Sequence, residues 1–412
     1  MTNINIVILG AGYAGIRAAL GLEKKFRAEK EIQITIIDRN DYHLFNPNLY
    51  EVATADEDLA SLIQLKRSVV IPLGEIFKGK KLRFIKGEIK EIDRQSKTVA
   101  LVSKKISYDY LLAALGPAPD YLNIQGAEQY ALPLKGLVGA LRIKNQIEFA
   151  MQARRLSGHK DNLKVVVAGG GLTGVEFAAE LAGEMKYLAW RNEYSRNKIE
   201  ILILEAQANL LGERFKKMGR DAFKRLKKLG VKVMLGSKIS EVARNYIKLL
   251  GEEGIRFDVL VWAAGVTAGN VPFAQPLSKD SKGRILTNEH LAAKTDDKIF
   301  ALGDCASIFN KSQKLAPATA EDAIWHGDYI SYALPLIMQN LRPKPYVGRQ
   351  HGAIAQVGGK YAIVNYGGFY VKGIFGYIIR QIVNWYYYAG LIGIKKAAKY
   401  LFFQMKIYSR ND

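Results

Sequence analysis

Cysteine is almost absent from this chain of 412 residues, which contains only Cys305. One thiol cannot build an internal disulfide framework or a two-thiol redox centre, so the sequence excludes both within one chain. Proline is also scarce, with 11 residues, whereas there are 38 glycines and 49% of the residues are apolar. This composition is typical of a globular protein whose backbone approaches ligands closely, and the length predicts more than one domain core.

Targeting and membrane-spanning segments are missing as well. The first residues, MTNINIVILGAGYAG, carry no charged leader, hydrophobic run and cleavage site, so we expect a protein kept inside the cell. The longest uncharged run of the C-terminal region, 381–394, has 14 residues. A transmembrane helix needs about 20, so no span is expected there.

Acidic residues are few, with 39 against 60 Lys and Arg, which gives a net charge of +21. From Leu341 to Asp412 there are eleven Lys or Arg and one acid, among many aromatic residues. Such a charge predicts an anionic partner, either nucleic acid or a membrane surface. No helix-turn-helix or RNA-binding motif is present, so we expect no nucleic acid and favour the membrane surface.

A strand, a glycine turn, a helix and a second strand open the sequence. In order, these segments are Ile4 to Leu9; Gly10, Gly12 and Gly15; Ile16 to Phe26; and Ile32 to Ile37. Asp38 closes the second strand, where a dinucleotide-binding fold places an acid on a ribose hydroxyl. A single glycine motif of this kind also occurs in structural turns.

The same pattern returns in the middle of the chain, which makes a chance match much harder. Its segments are Val165 to Ala168; Gly169, Gly171 and Gly174; Val175 to about Trp190; and Ile199 to Leu204, closed by Glu205. In such turns the first glycine permits the tight bend, the second admits a pyrophosphate and the third allows the helix to pack on the strand. The two copies predict two dinucleotide sites, and Glu205 favours NADH over NADPH because it repels a 2′-phosphate.

Two further apolar segments, 108–119 and 257–269, each end in a small-residue turn that contains a glycine, Gly116 or Gly265. Their likeness suggests that the second half is a diverged copy of the first. Another buried strand leads into Gly303 and Asp304, and in a flavin domain this acid can accept a hydrogen bond from the ribityl chain. Asp304 could instead simply cap the following loop.

The ordered motifs GAGYAG, ALG, GGGLTG, WAAG and ALGDCA resemble those of the two-dinucleotide flavoprotein reductases, and most closely the type II NADH dehydrogenases. The stretch DRNDYHLFNPNLYEVA and the long helix with an insert at 175–198 support the narrower resemblance. The third glycine and the acid are usually about 20 residues apart. The insert would account for the longer spacing of 31 residues from Gly174 to Glu205. The resemblance covers nearly the whole chain. It implies a non-proton-pumping NADH:quinone oxidoreductase of the respiratory chain, a monotopic flavoprotein on the membrane surface.

The resemblance also implies the architecture and the cofactors. The fold class is α/β, with two Rossmann-like dinucleotide-binding domains and a C-terminal amphipathic-helix region. Residues 1–118 and 268–345 would bind FAD, 119–267 would bind NADH, and 346–412 would lie on the membrane. The FAD residues would be Gly10, Gly12, Gly15, Asp38, Gly116, Asp304 and Ala320, and the NADH residues Gly169, Gly171, Gly174, Glu205 and Gly265; no metal site is expected.

Catalytic residues carried over from the family are Glu176, Glu321 and Lys372. Glu176 matches a glutamate between the nicotinamide and flavin sites, assigned to hydride transfer and charge coupling; alternatively, it stabilises the first helical turn through the dipole. Lys372 matches a lysine near the quinone pocket and could equally be a solvated surface lysine.

The family's quinone motif, AQxAxQ, is altered in this chain. The matching positions are Ala320, Glu321, Asp322, Ala323, Ile324 and Trp325. Glu321 loses the amide donor of glutamine and Trp325 brings a stacking surface with one N–H. A helix from about Ala318 to Met338 is expected to direct its positive end at the flavin.

The C-terminal tail has the pattern of a basic amphipathic helix pair. Arg380, Gln381 and Asn384 share one side of a helix over 374–391, and Lys395, Lys399 and Lys406 align on the next helix. Trp385, Tyr386, Tyr387 and Tyr388 are predicted as interface anchors. A homodimer interface or a packed core helix are the alternatives.

The predicted location is peripheral, on the cytoplasmic face of the cell membrane. Two other functions stay open from the sequence. One is a soluble NADH-dependent FAD reductase with a non-quinone acceptor, which the altered AQxAxQ helix allows. The other is a redox-sensing flavoprotein that binds membrane or nucleic acid through its basic tail.

Overall fold

The computed structural model describes residues 3–55, 62–157, 161–309, 319–348 and 352–407. The chain forms two compact units. Unit 1 comprises Met1–His43, Ile71–Ala118 and Val266–Gln350, and unit 2 comprises Leu44–Val70, Pro119–Gly265 and His351–Asp412. Each unit contains one of the two glycine motifs, and unit 2 also contains the C-terminal segment.

The helices are α1 (Tyr13–Phe26), α2 (Leu49–Thr54), α3 (Leu62–Val69), α4 (Leu73–Ile76), α5 (Ala127–Tyr130), α6 (Gly136–Ser157), α7 (Leu172–Arg191), α8 (Lys216–Lys228), α9 (Ala320–Met338), α10 (Ile374–Ile392) and α11 (Ile394–Ile407). The strands are β1 (Ile4–Leu9), β2 (Ile32–Asp38), β3 (Tyr42–Leu44), β4 (Val70–Pro72), β5 (Arg83–Lys86), β6 (Ile89–Asp93), β7 (Thr98–Leu101), β8 (Lys105–Ser107), β9 (Tyr110–Ala113), β10 (Pro117–Pro119), β11 (Leu132–Pro133), β12 (Leu163–Ala168), β13 (Ile199–Glu205), β14 (Lys232–Leu235), β15 (Ile239–Ala243), β16 (Tyr246–Leu249), β17 (Glu252–Arg256), β18 (Val259–Trp262), β19 (Val266–Ala268), β20 (Ile285–Leu286), β21 (Ala292–Ala293), β22 (Asp296–Ala301), β23 (Ala306–Ser307), β24 (Gly352–Gln356), β25 (Ala362–Tyr366) and β26 (Phe369–Gly373).

Unit 1 is built on a sheet with the strand order β21-β22-β9-β1-β2-β5. Its pairs are parallel except for β21 with β22. Helix α1 packs on β1 and β2 and against α9. The last four residues of β1, Ile6–Leu9, are fully buried, as expected for a central strand of a parallel sheet. Strand β1 therefore delivers the first glycine turn to the carboxyl edge of the sheet, where doubly wound folds bind ligands.

Unit 2 repeats this arrangement in a parallel sheet with the order β11-β18-β12-β13-β14. Strand β12 takes the place of β1, and α7 packs on β12 and β13. The amide of Gly10 donates to Ile37 O at 2.7 Å, and that of Gly169 donates to Leu204 O at 2.8 Å. The predicted α/β class with two Rossmann-like folds is confirmed, and the second half repeats the design of the first.

The two helices that follow the glycine turns begin earlier than predicted. Helix α1 starts at Tyr13 instead of Ile16, and α7 starts at Leu172 instead of Val175. In both, the third glycine lies inside the first turn, where a Cβ would overlap the carbonyl oxygen of Gly10 or Gly169. Close packing against the preceding turn requires a glycine at this helical position, despite the low helix propensity of glycine.

The polar side of α10 is buried, and only some of the predicted interface anchors are exposed. Arg380 is 4% exposed and Asn384 5% exposed, whereas the apolar residues opposite them are exposed. Tyr388, predicted as an interface anchor, is 1% exposed and belongs to the core of unit 2. The helical wheel correctly separated two faces but could not tell which one covers a neighbour. Within the described ranges, no helix is both long and apolar enough to span a membrane.

Candidate functional site

The first glycine turn is shaped to receive a ligand on bare backbone. Gly10 has a φ of +100°, and a Cβ there would lie 2.4 Å from Ala114 O. In contrast, a Cβ on Gly12 would meet nothing within 4 Å. Gly12 is therefore not required by packing within the protein, and the open space above it is where a pyrophosphate would approach.

The helix that follows this turn, α1, begins at Tyr13 and has Gly12 at its N-cap. Gly12 has no side chain that could cap the helix, and the first turn contains no acid. Asp38 Oδ2 accepts the Ala11 N–H at 2.7 Å, and Oδ1 accepts the Asn40 N–H at 2.7 Å. The carboxylate thus fixes the turn and keeps further lone pairs for a ribose hydroxyl. These features fit the diphosphate and ribose of FAD.

The second turn has the same construction. Gly169 has a φ of +104°, and a Cβ there would lie 2.6 Å from Ala263 O, whereas Gly171 has open space. The N-cap of α7, Gly171, likewise has no side chain that could cap the helix, and the first turn contains no acid. Glu205 Oε2 accepts the Gly170 N–H at 2.6 Å, and Oε1 accepts the Gln207 N–H at 2.8 Å. This turn fits a second dinucleotide.

The return segments hold their glycines in place through backbone bonds. Gly116 has a φ of +72°, and its carbonyl accepts the Gly269 N–H at 2.8 Å. The carbonyl of Gly265 accepts the Asp120 N–H at 3.1 Å. Gly116 therefore borders the unit 1 sheet and Gly265 the unit 2 sheet, each in the unit that contains its predicted cofactor loop.

Asp304 lies in a 3₁₀ turn, Gly303–Cys305, that a buried histidine anchors. The Gly303 N–H donates to His326 Nδ1 at 2.9 Å, and burial lowers the pKa of His326 to about 3. The imidazole is therefore neutral and accepts at Nδ1. Sequence reading missed this residue because one histidine in a helix carries no spacing signal.

Cys305 in the same turn is buried, and burial raises the pKa of its thiol to about 12. A protonated, inaccessible thiol is neither nucleophile nor redox partner. Cys305 therefore acts as a small buried residue of the core. Among the described residues, no group of three or more His, Cys, Asp or Glu side chains could hold a metal ion.

Helix α9 carries the altered quinone motif. It begins at Ala320, and Thr319 caps it by accepting the Asp322 N–H at 3.1 Å; the predicted start at Ala318 lies outside the described residues. Ala323 is buried, while Ala320, Glu321, Ile324 and Trp325 are half-buried. Glu321 and Asp322 both lie in the first turn of α9, where negative charges offset the positive end of the helix dipole. The expectation that this helix end favours the reduced flavin stays a prediction.

Glu176 lies in the first half of α7 and accepts the Gln356 N–H at 3.1 Å through Oε1. Burial raises its pKa to about 7, although the charge of Arg380 acts in the opposite direction. Glu51 is a further buried carboxyl group nearby, and the charges of Glu176, Glu180 and Arg380 all affect its pKa. A carboxyl group that titrates near neutral pH is suited to proton transfer. Sequence reading found Glu176 through the family resemblance but missed Glu51, Glu180 and Arg380.

Lys372 forms a surface ion pair within unit 2. Its Nζ lies 3.1 Å from Asp221 Oδ1, and its side chain is 52% exposed. Asp221 Oδ2 also accepts the hydroxyl of Tyr370 at 2.7 Å. Helix α9 belongs to unit 1, so the two parts of the predicted quinone site lie in different units.

The family model described as pyridine nucleotide-disulphide oxidoreductase matches residues 4–327. The chain belongs to this family. With Cys305 as its single cysteine, the chain cannot form the internal disulphide that the family's name describes.

Individual relatives and solved structures give a closer comparison than the broad family. The chain is 28% identical over 361 residues to the type II NADH:quinone oxidoreductase of Staphylococcus saprophyticus, covering 86% of this chain and 87% of the relative. Among solved structures, NDH2 from Plasmodium falciparum in complex with NADH matches with a TM-score of 0.84 at 19% identity, covering 99% of both chains. The sulfide:quinone oxidoreductase of Aquifex aeolicus matches with a TM-score of 0.75 at 17% identity, covering 94% of this chain and 91% of that one. The structural likenesses show a shared fold.

Proposed function

We propose that the chain is an FAD-dependent NADH:quinone oxidoreductase, which takes a hydride from NADH and reduces a membrane quinone by two electrons without pumping protons. The observation that carries this proposal is the pair of matching glycine turns, each with a glycine at the helix N-cap and an acid bonded to the loop. When bound, FAD supplies the two-electron carrier between donor and acceptor. The similarity to the staphylococcal enzyme supports the choice of quinone as acceptor.

Unit 1 would hold FAD. The open face at Gly12 and the N-terminus of α1 would bind the diphosphate, while Asp38 would accept a ribose hydroxyl. Gly116, Asp304 and Ala320 would complete this site.

Unit 2 would hold NADH in the same manner. Gly171 and the end of α7 would bind the diphosphate, and Glu205 would bind the adenosine ribose. Because Glu205 is an acid, a 2′-phosphate would be repelled, which favours NADH over NADPH. Gly265 lies on the return strand of this site.

The acceptor residues proposed on α9 are Ala320, Glu321, Ala323, Ile324 and Trp325. The half-buried indole of Trp325 offers a stacking surface and one donor, and Glu321 offers only acceptor atoms while ionised. Lys372 is proposed as a cation near the quinone, although its ammonium already pairs with Asp221.

Attachment to a membrane surface would use the exposed apolar face of α10 and α11. Phe375 is 69% exposed, Ile382 57% and Tyr386 76% on α10, and Phe402 is 72% exposed on α11. Exposed lysines, including Lys395 and Lys399, lie on α11. Apolar side chains next to lysines are typical of helices that lie in the interface of an anionic membrane. A peripheral location on the cytoplasmic membrane face follows as part of this proposal, and a homodimer through the same face is the alternative.

A visible-spectrum titration tests the function. The purified protein should be yellow, lose its flavin absorbance on anaerobic addition of NADH, and regain it on addition of a soluble quinone analogue. A colourless protein that does not take up added FAD would refute the proposal. Reduction by NADH without reoxidation by any quinone would instead indicate the soluble reductase with another acceptor.

A further inference from the structure

A buried polar cluster in unit 2 contains three carboxyl groups and one guanidinium. Glu51 comes from α2, Glu176 and Glu180 come from α7, and Arg380 comes from α10. Glu51 is 4%, Glu180 1% and Arg380 4% exposed, and Glu176 is half-buried. One fixed positive charge cannot balance three carboxylates in an environment of low dielectric. The cluster therefore retains at least one proton at neutral pH.

The guanidinium is held in place by the start of α2. Arg380 Nη2 lies 2.7 Å from the Tyr50 hydroxyl, 2.8 Å from Asn48 Oδ1 and 3.2 Å from Pro47 O. It lies 3.6 Å from Glu51 Oε1. Since Arg380 cannot change its charge, the carboxyl groups carry the titration of the cluster.

Glu51 is the group best placed to hold the proton. Burial raises its pKa to about 8, with Arg380 opposing this shift and Glu180 and Glu176 adding to it. The other groups that act on Glu51 are the hydroxyls of Tyr50 and Tyr388. Helices α3 and α6 also pack against α2. On α3, Lys66 and Arg67 are exposed, and on α6 the buried Lys144 pairs with Glu148.

A cavity of about 20 Å³ adjoins the cluster, which is room for one water molecule. Its lining includes Glu51, Gln356 and Gln404. Each of these side chains has a buried oxygen, Glu51 Oε2, Gln356 Oε1 and Gln404 Oε1, with no hydrogen-bond partner among the described residues. Buried acceptors are rarely left unsatisfied, and a water in the cavity together with a protonated Glu51 would satisfy them.

The cavity also adjoins an apolar groove between α10 and α11. Tyr377, Gln381 and Met405 line both spaces. The groove has a volume of about 260 Å³. The cluster thus extends from Glu176, two residues beyond the NADH turn, to the side of unit 2 on which the exposed apolar face lies.

We propose that Glu51, bridged by a water in this cavity and coupled to Glu176 and Glu180, stores the proton that reduction of the acceptor consumes. The inference rests on the proposed function. In the overall reaction, NADH and quinone with one additional proton give NAD⁺ and quinol, so the hydride supplies both electrons and one proton. The O–H bond of Glu51 breaks, an O–H bond forms on a quinone oxygen through intervening water, and solvent returns a proton to Glu51.

The test separates the two half-reactions in Glu51→Gln, with Glu184→Gln as the matched control. Glu184 is another buried glutamate of α7, 3% exposed, and it does not line the cavity. Stopped-flow reduction by NADH should change less than about twofold in both variants. Reoxidation by a soluble quinone analogue should slow by roughly a hundredfold in Glu51→Gln and stay near wild type in Glu184→Gln. Wild-type reoxidation should fall above about pH 8, and this limb should be absent from Glu51→Gln.

A spectroscopic readout is independent of turnover. Infrared spectra of the wild type at neutral pH should show the carbonyl band of a protonated buried carboxylic acid, sensitive to deuterium, and Glu51→Gln should lack it. If Glu51→Gln does not fold, Glu51→Asp keeps an ionisable group, and its reoxidation should retain an alkaline limb at a shifted pH. Wild-type reoxidation rates and pH profile in Glu51→Gln, or an unshifted limb in Glu51→Asp, would overturn the inference. Wild-type protein that NADH reduces but no quinone reoxidises would instead overturn the proposed function.

Discussion

Arg380 Nη2 lies 2.7 Å from the hydroxyl of Tyr50, so a helix near the end of the chain reaches a segment that lies 330 residues earlier. Both side chains are buried in unit 2. Removal of residues 373–412 would leave Tyr50, Asn48 and Glu51 without this partner and expose part of the core. Such a truncation would test folding as much as membrane attachment, so point substitutions on the exposed face are the better experiment.

Serine substitutions at Phe375 and Ile382 are expected to weaken attachment to the membrane. Both side chains are more than half exposed, so their removal costs little stability while taking apolar area from the surface. Cosedimentation with anionic phospholipid vesicles measures the effect, and binding should drop by roughly tenfold or more. Val102→Ser is the control because Val102 is 77% exposed in unit 1. If the variants at Phe375 and Ile382 bind vesicles as well as Val102→Ser and the wild type do, the proposed surface is contradicted.

Gly12→Val and Gly171→Val should separate the two cofactor sites. Neither substitution meets protein atoms within 4 Å at Cβ, so both proteins should fold, but each side chain would occupy the place of a pyrophosphate. Gly12→Val should purify colourless, whereas Gly171→Val should stay yellow and need a much higher NADH concentration for bleaching. A yellow Gly12→Val protein would show that FAD lies elsewhere.

Replacement of Glu205 by Gln should narrow the preference for NADH over NADPH. The amide oxygen can still accept the Gly170 N–H, so the loop is kept while the charge that repels a 2′-phosphate is removed. Steady-state kcat/KM values for the two nucleotides should converge by roughly tenfold, which corresponds to about 1.4 kcal/mol. The matching change at Asp38, Asp38→Asn, should leave the nucleotide preference unaltered. An unchanged ratio in Glu205→Gln would mean that another residue selects the nucleotide.

Acid should destabilise the protein through its buried histidines. Burial lowers the pKa of His326 to about 3 and that of His43 to about 4, whereas unfolded histidine titrates near 6.5. The unfolded state then binds more protons between these values, so stability is complete above pH 6.5 and declines as the pH falls toward 3. Urea unfolding of His326→Phe should show a shallower decline, with His43 and the carboxyl groups whose pKa values folding lowers, such as Asp221 and Asp280, accounting for the remainder. At pH 7.5 the variant should lose about 1–3 kcal/mol because the Gly303 N–H is unsatisfied.

Local sequence determined the two nucleotide folds. The first and third glycines of each motif have a backbone reason, such as the positive φ of Gly10 and the close packing of Gly15, so the motif fixes the strand, turn and helix around it. The acids Asp38 and Glu205 were likewise predictable, because they follow a strand that must lie beside the first. The lone cysteine also limited the chemistry before any fold was known.

Tertiary structure alone decided which face of α10 is buried and which distant groups share a proton. A helical pattern separates polar from apolar residues, but burial depends on the neighbour. Here Tyr50 and Glu51 of α2, with Asn48 just before it, face the polar side of α10. Glu51 and Glu176 are 125 residues apart in sequence, and no local rule relates them. Their raised pKa values come from burial and mutual repulsion, which exist only once the chain has folded.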